Sequence, residues 1–409
     1  MFEASTWTDP HRIPVALYTD PAIYQRELEV FFYGPHWSYV GLEVEIPNPA
    51  DFKTTFIGER GVIMARDTTG EIHVLENRCQ HKGIRLLQAP FGNVGTAKRI
   101  VCPYHQWCYK LNGTLLGVPY RAGVQGQGGY PKEFSLKEHG LGRLQVARYN
   151  GIVFASFDPK VEPFEAYIGP LIEPSFRRTF HGAELKLLGY NRQRIRGNWK
   201  LMQENIKDPY HVGLLHTWFV VFGLIRGDQK SRLVTDVHGR HGAMASTREK
   251  VEGGEVTKGL SSFKEGMILH DNRIVDVKPE SWWNGPTVVM LTLFPNLIVQ
   301  QQSNSMSTRQ IIPRGPGAFD FVWTHFGFEE DDPDMALRRL RQANMFGPAG
   351  YVSADDGEVL EFCQESYEQD PTRSTLAEQG GRDWGEVNHL ITENPLRAMF
   401  AYWRKVMEI

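Results

Sequence analysis

Cysteine is scarce in this chain. Four in 409 residues are too few for a disulfide framework. Neither sign of charge is in excess: 45 Lys and Arg stand against 48 Asp and Glu, which is no electrostatic footprint for nucleic acid or an anionic membrane. No apolar run comes near the ~20 residues needed to span a bilayer. Residues 1–11 include Glu3 and Asp9 and lack a basic start and an apolar segment, so no signal peptide is expected. Internal repeats, low-complexity tracts and long Pro/Ser linkers are missing too. So is a G-x-G-x-x-G fingerprint after a strand, which excludes a flavin or nicotinamide site built in that way. What remains is ordinary globular composition, 41% hydrophobic and 23% charged, in a chain long enough for two or three domains. It reads as soluble and cytoplasmic.

Changes of pattern divide the chain. Asp20-Pro21 opens a helix, with Asp as cap and Pro at the first helical position, running to about Phe32. From Trp37 to Asp158 the pattern becomes short β segments separated by turn chemistry such as Asp67-Thr68-Thr69-Gly70, with residues 152–157 as the last strand. Beyond Pro159 helices and strands mix. Residues 199–218 are helical in composition but interrupted by Pro209 and Gly213; 288–293, 297–302 and 319–328 read as buried strands, and 335–346, a segment from Ser353 and 395–407 as helices. The expected class is α+β. An all-β domain over 37–158 is inserted in a larger domain, 1–36 with 159–409, whose antiparallel strands are covered by helices.

Two constellations carry chemistry. Inside the β block stands Cys79-x-His81 and, twenty residues on, Cys102-x-x-His105. Two thiolates and two imidazoles in paired loops can hold zinc or a [2Fe–2S] cluster. In a Rieske centre one iron takes two Cys and the other two His, and two loops that each supply one of each suit that arrangement better. Gly83 is read as permitting close backbone approach to a sulfide and Trp107 as shielding the cluster. Cys108 and Cys363 are read as buried thiols without a ligand role. The second constellation is Asp208, His211 and His216. Asp208 and His211 share a helix face, but five residues of regular helix would turn His216 about 140° from His211. Pro209 and Gly213 offer places where the helix can open. Two imidazoles and one carboxylate make the facial triad of non-haem iron oxygenases. A further acidic segment, Ser353-Ala354-Asp355-Asp356, also reads as a helix start with Ser353 as cap and Asp356 at its third position.

With these residues the chain resembles the catalytic α subunits of Rieske non-haem iron ring-hydroxylating oxygenases. The likeness extends over essentially the whole length, through 188–195, 197–203, 214–219 and 319–328. One departure is a His81–Cys102 gap a few residues longer than usual, with 91–96 as an inserted turn. The resemblance implies an all-β Rieske domain and a helix-grip catalytic domain. It implies a [2Fe–2S] cluster on Cys79, His81, Cys102 and His105, and mononuclear Fe(II) on His211, His216 and Asp356, with Asp355 beside the latter. Asp208 would link His211 to a Rieske histidine of a neighbouring subunit as an electron bridge, and Asn205 would support the iron site. Glu204 is taken as a solvated charge. O2 would be the co-substrate, and NAD(P)H would act only through a separate reductase, by way of a ferredoxin and/or flavin reductase. A ring of three chains, α3 or α3β3 with a small β subunit, is implied.

Within the family the likeness points to members acting on aromatic carboxylates. Salicylate to gentisate is the expected conversion, and cis-dihydroxylation of a benzoate- or terephthalate-like acid the alternative. Gln300, Gln302 and Arg309 are candidates to hold the carboxylate, since alternate strand residues share a face and Arg can grip a carboxylate with two parallel bonds. Met202, Phe219, Phe346 and Val352 are candidate pocket walls.

Overall fold

The computed structural model describes residues 7–222, 229–247 and 270–409; residues 1–6, part of the segment read against a signal peptide, lie outside them. The chain divides into two compact units, Phe31–Val161 and Met1–Val30 with Glu162–Ile409. These limits fall a few residues outside those drawn from pattern alone. Among the described residues no helix is long and apolar enough to cross a membrane.

The smaller unit is built on three antiparallel sheets. Asp51–Ile57, Arg60–Arg66 and Ile72–Glu76 form successive hairpins, the second closed by Asp67, whose carboxylate accepts from the backbone of Thr69 and Glu71. The residues read as an inserted turn, 91–96, instead begin as a short strand, Phe91–Asn93, paired with Asp51–Lys53; the pairing gives the edge a backbone partner that no side-chain pattern announces. The second sheet is Arg99–Val101, Cys108–Lys110 and Leu115–Gly117, and the third joins Ser38–Leu42 to the hairpin Gln145–Tyr149 and Ile152–Ser156. Cys79, Cys102, Trp107 and Tyr109 belong to one apolar core with Ile63, Leu75 and Ile100.

The larger unit carries a seven-stranded antiparallel sheet in the order Leu185–Ile195, Phe319–Phe328, Ser305–Pro313, Leu297–Gln302, Val288–Leu293, Gly242–Ser246, Ser231–Thr235. Helices Trp199–Lys207 and Pro333–Phe346 pack on its third strand, Ser305–Pro313. That strand is buried along its whole length although most of its residues are polar. The helix Trp199–Lys207 starts at Asn198, whose side chain accepts from the Lys200 amide.

Candidate metal centres and substrate cavity

In the smaller unit the two Cys/His loops meet. Cys79 and Cys102 are buried free thiols. The backbone N–H groups of His105 and Tyr104 point at the Cys102 sulfur; burial raises that thiol's pKa, and those donors oppose the rise. The His81 and His105 rings lie 4.6 Å apart, and the Nδ1 atom of each is buried without a hydrogen-bond partner. Two orphaned imidazole nitrogens beside two thiols are a set that a two-iron cluster would satisfy. Trp107 is buried and stacks on His81 at 5.0 Å. Gly83 is further constrained by its backbone and by Arg78. Its φ is +71°, and a Cβ there would meet the Arg78 guanidinium, so conformation and Arg78 require glycine. Cys108 and Cys363 are half-buried rather than core. Sequence reasoning missed Tyr109, which is fully buried with its hydroxyl 3.3 Å from Cys79 Sγ.

In the larger unit the helix opens where the ligands sit. It runs Trp199–Lys207, stops at Asp208, resumes as Val212–Leu215 and again as Thr217–Val221; His211 precedes the second piece, and His216 is the hinge between the second and third. These breaks remove the angular mismatch of a continuous helix. His211 Nε2 and His216 Nε2 lie 3.5 and 3.1 Å from Asp356 Oδ1. The three side chains offer ligand atoms all within 4.8 Å of one another. The outer nitrogens face acids as well: His216 Nδ1 donates to Asp355 Oδ2 at 3.2 Å, and His211 Nδ1 is 3.6 Å from Asp208 Oδ2. Each imidazole thus stands between two carboxylates, the arrangement that fixes ring orientation in metal sites. Burial pulls the His211 pKa down, but Asp208 and Asp356 outweigh it and lift it to about 10. Burial would raise Asp356, yet both histidines hold it far below the usual carboxylate range.

Asp356 is buried, and Asn205 Nδ2 donates to it at 3.1 Å. Ser353 is not the helix cap: it is the first helical residue, and its hydroxyl donates to Gln193 Oε1. Glu204 is no solvated charge. Its Oε1 is buried and unpartnered, and burial, against Tyr18 and Lys200, pushes the carboxyl up to about 8.

A cavity reaches His211, His216 and Asp356. Gln300, Gln302, Arg309, Phe219 and Val352 line it, with Met244, Val288 and Met290 from neighbouring strands. Met202 does not: it is buried core. Phe346 stands behind Phe219, ring to ring at 6.0 Å. Register explains the lining. Gln300 pairs with Ser307 and Ile298 with Arg309, which puts Gln300, Gln302 and Arg309 on one face. Gln301, on the other, is bound by Arg178 Nη1. Arg309 is only 2% exposed, with its guanidinium 3.7 Å from the Trp323 ring; its Nε and Nη2 have no partner. Burial lowers it to about 9, with Asp356 acting against that, so it stays charged at neutral pH.

Residues 36–128 match the Rieske [2Fe–2S] domain, and residues 181–409 the catalytic domain of the ring-hydroxylating α subunit. The chain belongs to the ring-hydroxylating oxygenase α-subunit family. It is 59% identical to the large oxygenase component of salicylate 5-hydroxylase from a Ralstonia species, over 97% of this chain and 94% of that one. It is 37% identical to the large subunit of anthranilate 1,2-dioxygenase from Burkholderia cepacia, over 98% and 94%. Its fold matches naphthalene 1,2-dioxygenase from a Rhodococcus species with a TM-score of 0.81 at 22% identity, covering 98% of this chain and 96% of that one. As a Rieske non-haem iron oxygenase, the α subunit works with a [2Fe–2S] cluster, a mononuclear iron and O2, and takes electrons from a separate reductase component.

Proposed function

We propose that this α subunit hydroxylates an aromatic carboxylate, with salicylate converted to gentisate. One observation carries the reading: a buried, charged guanidinium with two unpaired N–H groups lines the same cavity as a two-histidine, one-carboxylate triad. A benzoate-type carboxylate satisfies those donors with two parallel charge-assisted bonds. The relative's 5-hydroxylation of salicylate supplies the ring position. The alternative, cis-dihydroxylation of a benzoate- or terephthalate-like acid, draws on the more distant anthranilate and terephthalate dioxygenases.

Cys79, His81, Cys102 and His105 would hold the cluster, and His211, His216 and Asp356 the iron. When bound, the cluster supplies one-electron storage and the iron supplies O2 activation. The chain's own residues do the rest. Arg309, helped by Gln300 and Gln302, orients the acid; Phe219, Val352 and the strand methionines exclude water; Asn205 and Asp355 keep Asp356 and His216 aimed. Asp208, beside His211 Nδ1, would also accept from His105 of the partner subunit, a hydrogen-bonded route for the electron. That role calls for an α3 or α3β3 ring with a small β subunit, fed by a ferredoxin and/or flavin reductase in the reducing cytoplasm.

The test is turnover of salicylate, benzoate, anthranilate and terephthalate by the reduced enzyme under labelled O2. Gentisate carrying one labelled oxygen is expected from salicylate. A cis-diol as the main product, or full turnover in His211→Ala, would overturn the reading.

A further inference from the structure

Charge is unevenly spread along the chain. Residues 77–132, which contain all four cluster-loop ligands, carry eight Lys and Arg and no Asp or Glu, while the rest has 37 basic residues against 48 acidic. All eight (Arg78, Lys82, Arg85, Lys98, Arg99, Lys110, Arg121 and Lys132) are exposed, and none makes an ion pair among the described residues. A solvated face ordinarily mixes both signs.

The sheet Arg99–Val101, Cys108–Lys110, Leu115–Gly117 concentrates the anomaly. Arg99 and Lys110 are direct cross-strand partners, a like-charge pairing that weakens a sheet unless a counter-charge arrives from outside. Beside them Val101 and Leu116 are 43% and 42% exposed. The opposite face of the same sheet, Ile100, Tyr109 and Leu115, is buried against the cluster loops, with the Tyr109 hydroxyl on Cys79 Sγ. Cys102 follows Val101 directly. One strand thickness therefore separates an exposed, cationic, partly apolar face from a cluster sulfur.

We infer that this sheet is the electron-entry surface, and that its occupant is an acidic one-electron donor protein. A second copy of this chain fits it less well. Lasting protein interfaces are depleted in Lys at their cores, whereas repeated brief encounters are steered by dense, unpaired charge of one sign. On docking, one electron leaves the reduced donor and the oxidised cluster gains it; no bond changes. The inference rests on the assignment of the cluster to Cys79, His81, Cys102 and His105.

The experiment is stopped-flow reduction of the holoenzyme by a reduced, acidic plant-type [2Fe–2S] ferredoxin, across ionic strength, in wild type, Arg99→Glu and Lys110→Glu. Each variant turns the like-charge pair into a cross-strand ion pair, so folding is favoured rather than endangered. Photoreduced deazariboflavin, too small to need a docking face, reads the cluster separately and tests its assignment alone. The expected result is a second-order rate that falls with salt in wild type and drops roughly tenfold at low salt in each variant, on the scale of electrostatic steering. Reduction by deazaflavin and the oligomeric state should not change. Equal ferredoxin rates in all three proteins would overturn the inference. So would variants that dissociate while keeping the wild-type rate, since the face would then be a contact between copies.

Discussion

Replacing Arg309 by methionine keeps the stem and removes the charge. Nε and Nη2 of Arg309 are buried without a protein partner, and each such group costs about 1–3 kcal/mol. The stacking on Trp323 at 3.7 Å returns up to about 2 kcal/mol. Folding stability of Arg309→Met is therefore expected to equal or exceed that of the wild type. Substrate binding goes the other way. Leaving a buried carboxylate without its cation costs about 3–5 kcal/mol, and at about 1.4 kcal/mol per factor of ten the Kd and KM for salicylate should rise roughly 10²- to 4 × 10³-fold. Salicylamide, with the same ring and no charge, is the control: its affinity should change little. Calorimetric binding of both ligands together with a thermal melt decides the matter. An unchanged salicylate affinity, or equal losses for acid and amide, would refute the carboxylate-anchor argument, the second outcome meaning that the cavity had merely collapsed.

Other expectations concern single groups. Asp208→Asn should retain the cluster and the iron but slow reoxidation of the reduced cluster roughly 10- to 100-fold, the usual cost of losing a carboxylate behind a ligating histidine; freeze-quench EPR with substrate and O2 reads this, and an unchanged rate removes the bridging role. Tyr109→Phe removes the hydroxyl at Cys79 Sγ, a donor that favours the more negative reduced cluster. At a net ~1 kcal/mol per hydrogen bond and 59 mV per tenfold for one electron, the midpoint should fall by about 40 mV in a redox titration, and a rise would contradict the assignment. Glu204 is raised by burial from 4.5 to about 8, so the folded chain holds a proton there that the unfolded chain has lost. Its contribution to stability is complete below pH 4.5 and gone above about 8. Glu204→Gln should flatten the decline in between by at most about 1.4 kcal/mol per pH unit, measured by denaturant titration; identical slopes would show that the carboxyl is solvated.

Much was legible in the linear order of residues, for a physical reason. The cluster ligands, His211 and His216 sit in short segments whose spacing is itself the signal, and Pro209 announced the break ahead of His211; Gly213, expected to open the helix as well, stands inside the helical piece Val212–Leu215, and the second break falls at His216. The antiparallel strands 288–293, 297–302 and 319–328 declared themselves by their apolar and aromatic content. Local sequence could not foresee what depends on partners far along the chain. Ser305–Pro313 is mostly polar and reads as no strand, yet its neighbours Leu297–Gln302 and Phe319–Phe328 bury it, and only that burial turns Arg309 from an ordinary strand-end cation into an unpaired charge within the cavity. Met202 and Phe346 look like any pocket wall until packing sets one in the core and the other behind Phe219. Glu204 follows the same rule, since an acid one turn from Asp208 looks solvated until the fold removes water from it. Ligand identity was thus fixed by residue type and spacing over a few positions, while charge state and access were fixed by which distant strands and helices closed around each group.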